Sequence, residues 1–193
     1  MLVEDEDKIG IQSSESVGYL SVWRELWDVV ETILLALILY FGIDAVFARV
    51  QVENISMETT FMPGDVLVVN RLAYKYGDYK TGDVVIFHNP NYEEEDFIKR
   101  VIGTPGDTVV IKDGQVSVNG KILQEDYISQ SPLYEGEWHV PNDAIFVLGD
   151  NRNESSDSHI WGYVPVTDVV GKALFVYWPL NAIKIISYPY PAN

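Results

Sequence analysis

The sequence predicts a mainly β protein preceded by one apolar helix: a transmembrane segment over residues 29–48, then a compact antiparallel β domain over residues 50–193. Three observations lead there. From Val29 to Ala48 the chain carries only Glu31 and Asp44 as charges. After Arg49, short runs rich in Val, Ile and Phe recur between Gly, Pro, Asn and Asp, the pattern of strands and turns. With 193 residues, 47% of them hydrophobic, and no cysteine, the β part is long enough for one core and must hold itself without disulfides.

The chain opens with an acidic head, Glu4-Asp5-Glu6-Asp7, expected to be disordered. Residues 1–28 read as a tail and an interfacial segment, with Tyr19, Trp23 and Trp27 placed as a membrane-surface aromatic belt would be. As a helix, the following stretch of about 20 residues would cover about 30 Å, the thickness of the hydrocarbon core. Two alternatives compete with a retained anchor. The charge-free centre is short enough for a buried core helix or the apolar part of a secretory signal. Val46-Phe47-Ala48 even has the small-x-small form of a cleavage site. Against a signal peptide, the leading region is long and acidic rather than short and basic. Lys8 and Arg24 before the segment face Arg49 after it, so charge sets its orientation only weakly. The net charge of −16 argues against a nucleic-acid binder, which needs clustered Lys and Arg for the phosphates.

Strands follow. Val50-Gln51-Val52-Glu53 alternates, and Val66–Val69 and Val84–Phe87 are apolar runs. Thr108–Ile111 and Gln115–Val118 flank Asp113-Gly114, a tight hairpin signal, and Asn119-Gly120 marks another turn. Ala144–Leu148 and Ala173–Tyr177 are later strands. Glu93-Glu94-Glu95 reads as a solvated hairpin tip between two strands.

Chemistry centres on Asp96-Phe97-Ile98-Lys99-Arg100-Val101-Ile102-Gly103, a strand-like run ended by Thr104-Pro105-Gly106-Asp107. From these eight residues alone Lys99 reads two ways. It is a surface lysine on the polar face, or it points inward, where desolvation lowers its pKa and leaves a neutral amine fit for a general base. Ser56, in Asn54-Ile55-Ser56-Met57, is a candidate nucleophile for it, although serines in such loops are usually turn or cap residues. His88, His139 and His159 show no metal-ligand spacing, and nothing supports a Ser-His-Asp triad. Gly149-Asp150-Asn151-Arg152 through Ser158 is a polar turn after a strand. It either satisfies only itself or brings hydroxyls and carboxylates to a site. A neutral lysine needs a partner without full negative charge, which Ser155 or Ser156 could be.

Five blocks in this order resemble the type I signal peptidases, membrane-bound Ser-Lys proteases. They are the apolar segment, Ser56-Met57-x-x-Thr60, Thr81-Gly82-Asp83-Val84-Val85-Ile86-Phe87, Lys99-Arg100-Val101-Ile102-Gly103-x-Pro105-Gly106-Asp107, and Gly149-Asp150-Asn151-Arg152 through Ser155-x-Asp157-Ser158. The resemblance runs from the apolar segment to about Pro179. It implies that Ser56 is the nucleophile, Lys99 the general base and Ser155 the group that orients the amine. Asp150 and Asp157 would brace the last block, with Arg152 fixing its backbone. Met57 and Ile98 would line the pocket for the small residue before the cut. The strand Asp96–Lys99, with Phe97 and Ile98, and the segment around Val50–Glu53, with Val50 and Val52, would hold the substrate as an added strand.

Three positions depart from the family's pattern. Thr59 stands where proline is usual, and His159 where arginine usually pairs with the last aspartate. Asn54 replaces a serine that in some members donates to the oxyanion, a role its amide can fill. The resemblance further implies a single-pass protein of the cell membrane with its catalytic domain outside the cytoplasm. Its partners would be secretory preproteins with signal peptides and membrane lipid, with no nucleic acid, metal or other cofactor. Two rival readings differ in chemistry: a tethered β module that binds extended peptides without cutting them, and a self-cleaving Ser-Lys regulator. The second is disfavoured by the apolar segment and the lack of a DNA-binding region.

Overall fold

The structure, a computed structural model, describes residues 14–89 and 92–186. The acidic head lies outside the described residues. Helix α1 (Ser14–Val46) comes first, and the chain divides into two compact units on either side of the Ala45–Val46 bond. The stretch Val22–Val46, 25 residues, is long and apolar enough to cross a membrane. At about 1.5 Å per residue it spans roughly 37 Å. Its apolar side chains are exposed all round, Leu34, Ile38 and Phe41 each by more than half. An apolar surface on every side is what a lipid-facing helix presents.

The helix differs from the expected 29–48 at both ends. It begins earlier, and Phe47 and Ala48 belong to β1 (Phe47–Gln51). Register explains the far end: Phe47 pairs with Asn70 and Ala48 with Val69 of β2 (Val66–Asn70), and Ala48 is buried in the core. Sheet pairing here overrides the apolar run's helical continuation.

The remaining strands are β3 (Val84–Asn89), β4 (Tyr92–Gly103), β5 (Thr108–Lys112), β6 (Gln115–Val118), β7 (Lys121–Ile122), β8 (Gly136–His139), β9 (Ala144–Leu148), β10 (Val164–Pro165), β11 (Val169–Trp178) and β12 (Lys184–Ile185). A one-turn helix, α2 (Ser158–Trp161), lies between β9 and β10. One sheet has the order β1-β2-β11-β3-β4-β9-β10, with β12 on β11; the other runs β7-β6-β5-β8, and every pairing is antiparallel. The β5–β6 hairpin closes on Asp113 and Gly114, both at positive φ, as the Asp-Gly turn requires. Glu93–Glu95 are part of β4 rather than a loop, because β3 and β4 stay paired out to Asn89 and Tyr92.

Central strands are covered on both faces. In β3, Val84 and Ile86 enter one core with Met57, Phe61 and Leu67, while Val85 and Phe87 enter another with Val101, Ile145 and Val147. That explains why β3 reads as an unbroken apolar run instead of an alternation. A third core joins the two sheets through Ile102, Val109, Phe146 and Leu148.

Candidate active site

Ser56 sits in the loop between β1 and β2, and Lys99 in the middle of β4. The Lys99 amine donates to Ser56 Oγ at 2.6 Å. Lys99 is 2% exposed, and among the described residues no ion pair includes it. Burial lowers its pKa from about 10.5 to about 8, against the opposing fields of Asp157 and Asp150. The amine also stands 5.3 Å from the centre of the Phe97 ring.

Asn54 faces Ser56 with its oxygen, not its nitrogen. Its Oδ1 accepts from Ser56 Oγ at 2.7 Å and from the Ser56 N–H at 3.2 Å, a local turn closed by the side chain. The Ser56 N–H is thus occupied by Asn54 in this arrangement, and the Asn54 amide nitrogen, the expected oxyanion donor, is not the group turned to Ser56.

The turn after β9 packs directly on this loop. Asn151 N–H donates to Ser56 O at 3.0 Å. A Cβ on Gly149 would lie 2.5 Å from Ser56 O and 2.2 Å from Ser155 Oγ, so only glycine allows this approach. Gly149 N–H donates to Asp157 Oδ2 at 2.9 Å, and Gly149 O accepts from Arg152 Nε at 3.0 Å. Asp157 also caps α2, and its Oδ1 lies 2.6 Å from His159 Nδ1, whose ring stacks on Tyr134 at 3.7 Å. Asp150 receives a forked pair of hydrogen bonds from Arg100, at 2.8 and 2.7 Å, and one from Thr60. Both partners of that ion pair are fully buried.

Ser155 is buried beside Gly149, but among the described residues its hydroxyl has no hydrogen-bond partner, so the expected bond to the Lys99 amine is not formed here. Met57 and Ile98 lie together in the core next to Ser56, 1% and 8% exposed.

The strand edges need a correction. Val52 N–H donates to Asp65 O and Val52 O accepts from Gly64 N–H, both at 2.8 Å. Main-chain groups alternate between edges in an antiparallel ladder, so Val50 and Val52 face β2, while Gln51 and Glu53 face outward. On β4, Val101 N–H donates to Asp83 O, which turns Phe97, Lys99 and Val101 toward β3. Strand β9 covers the other edge only from Arg100 onward. The open edge therefore belongs to Asp96 and Ile98. The main-chain groups on these open edges are those of Gln51, Glu53, Asp96 and Ile98, not of Val50, Val52 or Phe97.

Against known proteins, a family model described as signal peptidase, peptidase S26, matches residues 26–178. The chain belongs to that family. Signal peptidase I of Leptolyngbya laminosa is 40% identical over 174 residues, 85% of this chain and 85% of that protein. The probable signal peptidase I-2 of Synechocystis sp. is 40% identical over 176 residues, 86% of this chain and 78% of the relative. Signal peptidase I of Bacillus caldolyticus is 38% identical over 151 residues, 70% of this chain and 82% of the relative. As a signal peptidase the chain is a serine endopeptidase, and its apolar first helix fits a single-pass membrane protein.

Four residues around the site have no part assigned by the sequence motifs. Arg100 and Thr60 lie inside quoted blocks but had no assigned part. Glu125 and Tyr127 lie in no block at all, and only the chain's path back across the site brings them there.

Proposed function

We propose that the chain removes signal peptides from exported preproteins with a Ser56–Lys99 dyad, cutting after a small-x-small stretch. The observation that carries this reading is a buried amine, in no ion pair among the described residues, at 2.6 Å from a serine hydroxyl. Neutral Lys99 takes the Ser56 proton as the oxygen attacks the scissile carbonyl. The resulting ammonium protonates the leaving amine, and water repeats the cycle to release the acyl chain. The substrate lies extended between the open edges at Gln51 and Glu53 and at Asp96 and Ile98, adding one strand. Met57 and Ile98 restrict the pocket next to the cut to a small side chain.

Asn54 must move for this to happen. In the resting arrangement the Ser56 hydroxyl donates to Asn54 and accepts from Lys99. A substrate carbonyl displaces Asn54 Oδ1 from the Ser56 N–H, which then serves the oxyanion. The hydroxyl is left to turn its proton toward Lys99, and a rotated Asn54 amide adds a second donor. The catalytic unit lies outside the cytoplasm, where exported substrates emerge, and lipid surrounds the apolar helix. The dyad uses no metal or other cofactor.

The pH profile tests the base. kcat/KM for a preprotein is expected to rise with pH with a midpoint near 8 as Lys99 deprotonates, since activity needs the neutral amine. A limb centred near 10.4, the value of a free lysine, would refute a buried base.

A second expectation concerns the protein's own Val46-Phe47-Ala48 stretch. The Ala48–Arg49 bond lies inside β1, paired with Val69 and Val68, and cannot extend into the site of its own fold. The intact mass is therefore expected for wild type and for Ser56→Ala alike. Freshly isolated wild type converted to a chain starting at Arg49 would recast residues 1–48 as a removable leader.

A further inference from the structure

Between β7 and β8, two side chains connect more of the site than their sequence context suggests. The Glu125 carboxylate, 7% exposed, accepts from both terminal nitrogens of Arg152, at 2.8 and 2.7 Å. Tyr127 donates its hydroxyl to Glu125 at 2.7 Å. Its ring lies 3.9 Å from the centre of the Arg100 guanidinium, and its carbonyl accepts from the Thr59 hydroxyl. One short segment thereby touches all three parts of the dyad's frame. Thr59 belongs to the Ser56 loop, Arg100 adjoins Lys99 on β4, and Arg152 holds Gly149 O.

We infer that Glu125 and Tyr127 are positioning residues for peptide hydrolysis, holding the Ser56 loop, the Lys99 strand and the Gly149–Arg152 turn in register with one another. This rests on the Ser56–Lys99 reading above. A fork of two charge-assisted hydrogen bonds fixes a guanidinium in orientation as well as in place. With Glu125 on its terminal nitrogens, Arg152 is left with Nε aimed at Gly149 O, and the Gly149 N–H is aimed at Asp157. The turn has no slack against Ser56: Asn151 bonds the Ser56 carbonyl, and Gly149 approaches it too closely for a Cβ. A shift in the turn therefore reaches Ser56, and misplacement of about 1 Å can lower a rate about 100-fold. Thr59 takes part through a hydroxyl that proline, usual at this position in the family, does not have. None of these contacts lies on the open strand edges, so the effect belongs in turnover and not in binding.

The test uses the full chain in detergent with a preprotein carrying a small-x-small site. kcat, KM and the thermal midpoint are measured for wild type, Glu125→Gln, Arg152→Met, the double variant and Tyr127→Phe. Glu125→Gln is expected to lower kcat about 10- to 100-fold with KM within about twofold. If Glu125 acts through Arg152, the double variant is no slower than the slower single one, because removing a partner twice removes one interaction. Tyr127→Phe keeps the ring and the carbonyl and loses the hydroxyl's bond to Glu125 and the long one it accepts from Arg152 at 3.5 Å; it is expected to lower kcat several-fold at an unchanged thermal midpoint. A folded Glu125→Gln with wild-type kcat, or single losses that multiply in the double variant, overturns the inference. Should Glu125→Gln fail to fold, wild-type kcat in Tyr127→Phe overturns it alone. A wild-type chain that does not cut overturns the dyad reading and this one with it, an outcome distinct from the others.

Discussion

Lys99→Arg is expected to abolish cleavage, as Ser56→Ala and Lys99→Ala should, while the β unit stays folded. The arginine variant is the most informative of the three. It keeps a long cationic side chain at the same place, but a guanidinium does not give up its proton in a protein and cannot serve as a base. Removing one member of a nucleophile–base unit costs about as much as removing both, so losses of about 10⁴-fold or more are expected for each single variant and no further loss for the double. The measurement is single-turnover cleavage of a preprotein, with circular dichroism to show that each variant is folded. Turnover near the wild-type rate in Lys99→Arg would remove Lys99 from the chemistry and leave its 2.6 Å contact with Ser56 without a catalytic part.

Asp150→Ala should have the largest effect on stability. The substitution leaves the Arg100 guanidinium, 1% exposed, without its carboxylate, and such breaks cost about 3–5 kcal/mol. For a chain of this size that corresponds to roughly a 10 °C drop in the unfolding midpoint. Replacing both partners with apolar side chains, Arg100→Met with Asp150→Leu, should be milder than Asp150→Ala, because no buried charge is left over. Differential scanning fluorimetry of the three proteins decides it. A midpoint in Asp150→Ala within about 1 °C of wild type would show that Arg100 finds other partners beyond Gly82 O and Thr60.

How much could be read from the chain depended on whether a feature is local. The Asp113-Gly114 turn, the apolar runs at Val84 and Ala144 and the apolar first helix all show themselves within a few residues, because turn chemistry and periodicity are local. Ser56 and Lys99 were legible as a pair only through ordered motifs, since 43 positions separate them. The phase of the open edges was not legible: whether Val52 or Glu53 faces outward depends on Val52 bonding Asp65 and Gly64, a choice made by the loop and not by the alternation. The helix end at Val46 was hidden because Phe47 and Ala48 are apolar in either structure. Glu125 and Tyr127 carry no pattern of their own; their partners Arg152 and Arg100 are 27 residues on and 27 residues back in the chain.

The buried amine ties working pH to fold stability. An unfolded Lys99 would hold its proton up to about pH 10.4, while the folded one gives it up near 8. Between those values the unfolded chain binds the extra proton, so this residue's contribution to stability climbs as pH rises. Below about 8 the folded protein must keep a charge out of water, and the full penalty, on the order of 3 kcal/mol, is in force. One proton therefore acts over two adjoining ranges: its uptake weakens the fold as pH falls from about 10.4 to about 8, and it stops turnover below about 8. A compartment that drifted acidic would silence the peptidase without any further loss of stability through this residue.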